Sequence, residues 1–184
     1  MVARPWRRSS VRIGVVALGV LAIIAAGCNT DDDADRSETP TTSVDAVDAC
    51  ALLGADAVAG VVGGPAVMAV GEPAVRDGVT VASCEWERED GSGASVSLLV
   101  SHEAGQGNAL DTAIEALRTE AYAGRVVEDV AVGDAGLWVA DGPARQLSAF
   151  SGDNYLVLTL PVGTTRDAAV ALATAALESL SATR

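Results

Sequence analysis

Lysine is absent from the chain; all 12 basic residues are arginine. That removes Schiff-base chemistry and the phosphate-cradling Walker A loop, both of which need a lysine amine. Histidine occurs once, as His102. A Ser–His–Asp or Cys–His site would have to use it, yet no G-x-S-x-G element accompanies it. His102 falls at the expected end of a strand beside Glu103, where a solvated histidine is the ordinary reading. Cysteine is scarce too: Cys28, Cys50 and Cys84 are the three. Two cysteines and one histidine in the C-terminal region fall short of the three or four ligands of a zinc site, so no metal or cofactor is expected. Aromatics make up 3% of the chain. Past residue 44 they are Trp86, Tyr122, Trp138, Phe150 and Tyr155, a thin supply for the aromatic-lined cleft of a carboxylate-pair glycosidase.

The first 44 residues differ sharply from the rest. Residues 1–12 carry Arg4, Arg7, Arg8 and Arg12 and no acid, and residues 13–27 carry no charge. Small residues Ala25, Ala26 and Gly27 then precede Cys28. A basic segment, a short apolar run and a small-residue cleavage site form a secretory signal. The run is short of the ~20 apolar residues of a permanent span. Cysteine directly after the small residues resembles a bacterial lipobox, with Ala25 where leucine is usual. Residues 1–27 are therefore expected to be a lipoprotein signal peptide. Cys28 is expected to be acylated and to begin the mature chain, a lipid anchor on the extracytoplasmic face of the cell membrane. Each buried methylene contributes about 0.8 kcal/mol, so two or three acyl chains hold durably. The alternative is a plainly secreted or helix-anchored protein in which Cys28 is incidental.

Residues 29–44, NTDDDADRSETPTTSV, contain one large apolar residue, Val44, and cannot bury a core. With Cys28 they read as a disordered acidic tether, residues 28–44, reaching on the order of 20–50 Å. The aspartates lack the spacing, glycine and closing glutamate of an EF-type calcium loop. Residues 45–184 have the size of one domain. Seven arginines against 20 acids give them a net charge of −13. That opposes binding to nucleic acid or anionic headgroups, since phosphate recognition needs clustered cations, and no nucleic-acid partner is expected.

Within the domain, Gly54 to Val62 reads as a short helix stopped by Gly63, Gly64 and Pro65. Ala66 to Val70 is a strand, and Gly71 to Gly78 a loop. Val79 to Arg88 alternates, with Ala82, Cys84 and Trp86 on one face and Ser83, Glu85 and Glu87 on the other. A turn at Glu89–Gly93 leads to Ala94–Ser101 and closes a hairpin. Asn108 is the expected N-cap of a second helix bearing Leu110, Ile114, Leu117 and Ala121, ending at Gly124. Strands follow at Val126–Val132, Leu137–Ala140, Gln146–Phe150 and Tyr155–Leu160. Thr164 with Asp167 forms a capping box for a last helix, with Val170, Ala173, Leu177 and Leu180 as its inner stripe. Short strands and tight turns imply a mainly antiparallel sheet packed with three helices, a single α+β domain.

An exported domain resides where disulfides persist. With Cys28 acylated, Cys50 and Cys84 have one possible pairing, closing a loop of about 35 residues worth roughly 4 kcal/mol of chain entropy. The competing reading is two buried thiols acting as small apolar side chains. Trp86, in phase with Cys84, is expected to pack in the core by the bridge. Trp138 lies on a short strand after Gly133-Asp134 and is read mainly as core, with a surface contact as the alternative.

The pattern Asp48-x-Cys50-x-Leu52-Leu53, a glycine after the first helix and Cys84-x-Trp86 resembles the actinobacterial lipoproteins grouped as domain of unknown function 3558. Val132-Gly133-Asp134-Ala135, the strand from Gly152 to Leu160 and the alanine-rich closing helix share the likeness, which covers the whole of residues 45–184. Gly54 stands where members often carry Thr or Ser. The resemblance implies an anchored extracytoplasmic α+β domain and no catalytic residues. The functional expectation is a non-enzymatic binding or sensing module at the cell envelope, facing an envelope protein or ligand. The alternatives are a carrier of a lipid or other apolar molecule and, more weakly, a hydrolase.

Overall fold

The computed structural model describes residues 47–183, apart from residues 72, 77–78 and 104–105. The expected signal peptide, Cys28 and nearly all of the tether lie outside the described residues. The domain opens with a 3-10 turn, Ala49–Leu52, capped by the Asp48 carboxylate, which accepts from the Cys50 N–H at 3.0 Å and the Ala51 N–H at 3.3 Å. Helix α1 (Ala55–Val62) follows and ends at Gly63, whose φ of 77° is the left-handed C-terminal cap that glycine adopts freely.

Strands β1 (Ala66–Val70), β2 (Ala74–Arg76), β3 (Val79–Arg88) and β4 (Ser95–His102) come next. Helix α2 (Leu110–Ala116) runs on into a π-helical turn, Leu117–Ala121. Strands β5 (Val127–Val130), β6 (Ala135–Val139), β7 (Arg145–Ser151) and β8 (Asn154–Leu160) lead to helix α3 (Arg166–Ala182). All named ladders are antiparallel, in the order β1-β3-β4-β8-β7-β6-β5, with β2 also paired to β3. The α+β architecture expected from the strand and turn pattern is the one observed.

Alternation along the strands separates two faces. One buries Ala82, Cys84, Trp86, Val96, Leu98, Val100, Leu156, Leu158 and Leu160 in a single core with α1, the opening turn and α3. On α3 this face is broader than the expected stripe: Ala169, Leu172 and Ala176 join Ala173, Leu177 and Leu180, while Val170 is only half-buried. The alanines let the helix axis approach the sheet closely. On the opposite face a smaller cluster, Tyr122, Leu137 and Val139, packs against Ile114, Leu117 and Val127. Helices therefore cover both faces of the sheet at its β5–β7 end.

Three local expectations are corrected. Strand β2 lies inside the segment read as a loop. The second helix is entered through a 3-10 turn, Gln106–Ala109, and Ala109, without a side-chain cap, holds the N-cap position expected of Asn108. The cap of α3 is Thr165, whose Oγ1 accepts from the Ala168 N–H at 3.3 Å, and not Thr164. Thr164 Oγ1 is buried without a hydrogen-bond partner.

Candidate functional site

Cys50 and Cys84 are joined by a disulfide, with Cα atoms 5.1 Å apart and a sequence separation of 34. The bond ties the opening 3-10 turn to the middle of β3, and Cys84 and Trp86 are each 1% exposed. Trp138 is 3% exposed and belongs to the main core, so the surface-contact alternative fails. Its neighbours Leu137 and Val139 face the second cluster, so β6 is buried on both sides.

His102 ends β4 half-buried, opposite Asn154 in the register. Its Nδ1 donates to Asn154 Oδ1 at 3.1 Å, and Asn154 Nδ2 donates to the Ser151 carbonyl at 3.1 Å. In a Ser–His–Asp arrangement the nitrogen that holds the tautomer binds a carboxylate, which also stabilises the imidazolium. Here it binds the side-chain amide of Asn154, which orients the ring.

A chain of three hydroxyls was not anticipated from the sequence. Tyr122 Oη lies 2.7 Å from Ser148 Oγ, which lies 2.9 Å from Tyr155 Oη. Ser148 is fully buried on β7, Tyr155 comes from β8 and Tyr122 from the end of the α2 segment. The Tyr155 ring stacks on Phe150 at 4.7 Å, and the Arg125 guanidinium sits 5.8 Å from the centre of the Tyr122 ring. Arg125 also donates to Gln146 Oε1 at 2.9 Å, to Asp141 Oδ1 at 3.3 Å and to the Asp141 carbonyl. Burial pushes both tyrosine pKa values up, because a phenolate in this apolar setting loses its hydration. Both phenols therefore stay protonated at neutral pH. An activated nucleophile needs the opposite shift or an adjacent base. The chain instead pins the α2 segment to the sheet through satisfied buried hydroxyls.

A concavity of about 540 Å³ lies between the C-terminal half of α3 and the β6–β7 side of the sheet, lined by Gly133, Ser151, Thr174, Leu177, Glu178, Ser181 and Ala182. Leu177 is its one large apolar side chain, and it opens broadly to solvent. Such a groove does not shield an acyl chain from water. Among the described residues no group of three or more His, Cys, Asp and Glu is placed to hold a metal ion, and no helix is long and apolar enough to cross a membrane. Comparison with family models, with curated proteins and with solved structures found no match for this chain.

Proposed function

We propose that the protein is a lipid-anchored module on the extracytoplasmic face of the cell membrane, which binds or senses an envelope partner without chemical turnover. The observation that carries the reading is the Cys50–Cys84 disulfide. A structural disulfide belongs to an oxidising compartment. It is joined in the same chain to a basic and apolar leader that ends in Ala25-Ala26-Gly27-Cys28. Binding without turnover is supported by the hydroxyl chain, whose Tyr122, Ser148 and Tyr155 are spent on one another in tying the α2 segment to the sheet. A carrier finds less support, because the groove beside α3 opens broadly to solvent and Leu177 is its one large apolar side chain.

The test is processing in a bacterial host. Wild-type protein should partition into the detergent phase and begin at a blocked, acylated Cys28. The Cys28→Ala variant should remain uncleaved. A variant that is cleaved, released and processed like wild type would remove the anchor and with it the proposed address.

A further inference from the structure

The two edges of the sheet are treated differently. Strand β5 presents the exposed acids Glu128 and Asp129, which blunt an edge against further pairing. Among the described residues, strand β1 closes the other end with the uncharged sequence AVMAV. Val67 is 52% and Met68 62% exposed, two of the four most exposed large apolar side chains among the described residues. The hydrogen bonds flanking β1 show which of its backbone groups are already used. Glu89 N–H donates to the Pro65 carbonyl at 2.8 Å, and Gly71 N–H donates to the Ser83 carbonyl at 2.9 Å. Bonded pairs alternate along an antiparallel ladder, so Val67 and Ala69 bond to Glu87 and Glu85 across the register. The N–H and C=O groups of Ala66, Met68 and Val70 point away from β3.

We propose that β1 is a homotypic docking edge, at which a second copy of this chain adds antiparallel to extend the sheet through a two-fold axis at Met68. Three features commit the edge to a second copy. First, a register centred on Met68 sets position 66 opposite 70 and 68 opposite 68 of the other copy, so every outward backbone group meets a complement. Second, the same register sets Val67 opposite Ala69, a large residue against a small one, on the face that both copies share. Third, β1 itself carries no charge in a domain of net charge −13, so the pairing sets no like charges directly opposite one another. Exposed Glu85 and Glu87 lie one strand in, on β3, which makes the contact salt-dependent. Five-residue strands make a small contact, one whose occupancy depends on local concentration.

Cysteine cross-linking of the full-length protein in mild detergent tests the register. In Met68→Cys the two thiols sit at a directly paired position, within the 4.4–6.8 Å Cα range of a disulfide. Under a mild oxidant this variant should form covalent dimers at least about tenfold faster than Val162→Cys, a more than half-exposed position off the edge, because docking raises the effective thiol concentration. Wild type should sediment as a reversible dimer whose fraction rises with ionic strength, while Met68→Lys remains folded and monomeric, since a lysine blunts the edge. Equal rates for Met68→Cys and Val162→Cys, with identical sedimentation of wild type and Met68→Lys, would overturn the proposal. Capture of Met68→Cys by a different envelope protein in place of its own copy would overturn it as well.

Discussion

Replacing both bridged cysteines by alanine, Cys50→Ala with Cys84→Ala, releases the opening turn from β3 without leaving a buried polar atom. The cross-link spans 34 positions. Closing a loop of that length removes about 4 kcal/mol of unfolded-chain entropy. The sulfur atoms are also buried, Cys84 at 1% exposure and Cys50 at 9%. Their removal adds up to about 1 kcal/mol each, the value of a buried methylene or somewhat more. The expected loss is about 4–6 kcal/mol, a large share of the ~5–15 kcal/mol that keeps a domain folded. For a domain of this size it lowers the melting temperature by roughly 12–20 °C. Urea melts of wild type, the two single variants and the double variant measure it. Because either single substitution already breaks the bridge, the three variants should be destabilised almost equally. The cycle should then return a coupling energy of about 4 kcal/mol. Additive single costs, or a double variant within about 1 kcal/mol of wild type, would mean that Ala49, Leu52 and Leu53 hold the turn by packing alone.

Ser148→Ala should destabilise the domain by about 1–3 kcal/mol in urea melts, since it strips the shared partner from the buried Tyr122 phenol and the half-buried Tyr155 phenol; a neutral result would mean that water takes the serine's place. The raised tyrosine pKa values set a pH window. The folded state holds the phenol protons more tightly than the unfolded chain, so stability is full below pH ~10 and falls as pH rises through the folded-state values. Ultraviolet titration of the folded protein should show phenolate appearing above the ordinary tyrosine range, and a single unshifted transition would contradict the burial argument. Gly133→Ala should cost several kcal/mol, because residue 133 has a φ of 61° and a Cβ there collides with the Phe150 carbonyl oxygen. Gly91→Ala, at a φ of 67° with open space around it, should cost only about 1–2 kcal/mol, so equal thermal shifts for the two would show that the sheet yields at Gly133.

Most strands were legible because one of their faces is core and the other meets water. Val79–Arg88 alternates for that reason, and both its limits and its inward set, Ala82, Cys84 and Trp86, agree with the sequence reading. Alternation fails where a strand is buried on both sides. In β6, Leu137, Trp138 and Val139 are all buried, Trp138 in one cluster and the other two in the second. A continuous apolar run carries no phase, so the side of Trp138 was not written in its neighbours. Strand β2 was hidden for another reason. Three residues among Gly71, Pro73 and Gly78 have no pattern of their own and are ordered by pairing with Thr80 and its neighbours on β3. The cap of α3 slipped by one residue because two threonines in succession offer the same hydroxyl, and the helix axis selects between them.

The hydroxyl chain and the β1 edge show why the remaining function was less accessible than the fold. Tyr122, Ser148 and Tyr155 lie in three separate segments, and each alone is an ordinary polar residue on an otherwise apolar element. They meet only because Ser148 pairs with Val157 while Phe150 pairs with Tyr155, a register that also requires the α2 segment to settle on that face. The edge has the reverse relation to the sequence. AVMAV is easily read as a strand, but its alternation is the same whether the strand is central or terminal. Strand order makes it an edge, and the bonds at Pro65 and Gly71 decide which backbone groups it offers. Burial writes itself into the sequence as a period, because every turn or pleat repeats the demand. An interaction surface is written once, at the place where the order of strands happens to stop. Among the described residues, the backbone groups of Ala66, Met68 and Val70 face away from β3, and strand addition at β1 uses them directly.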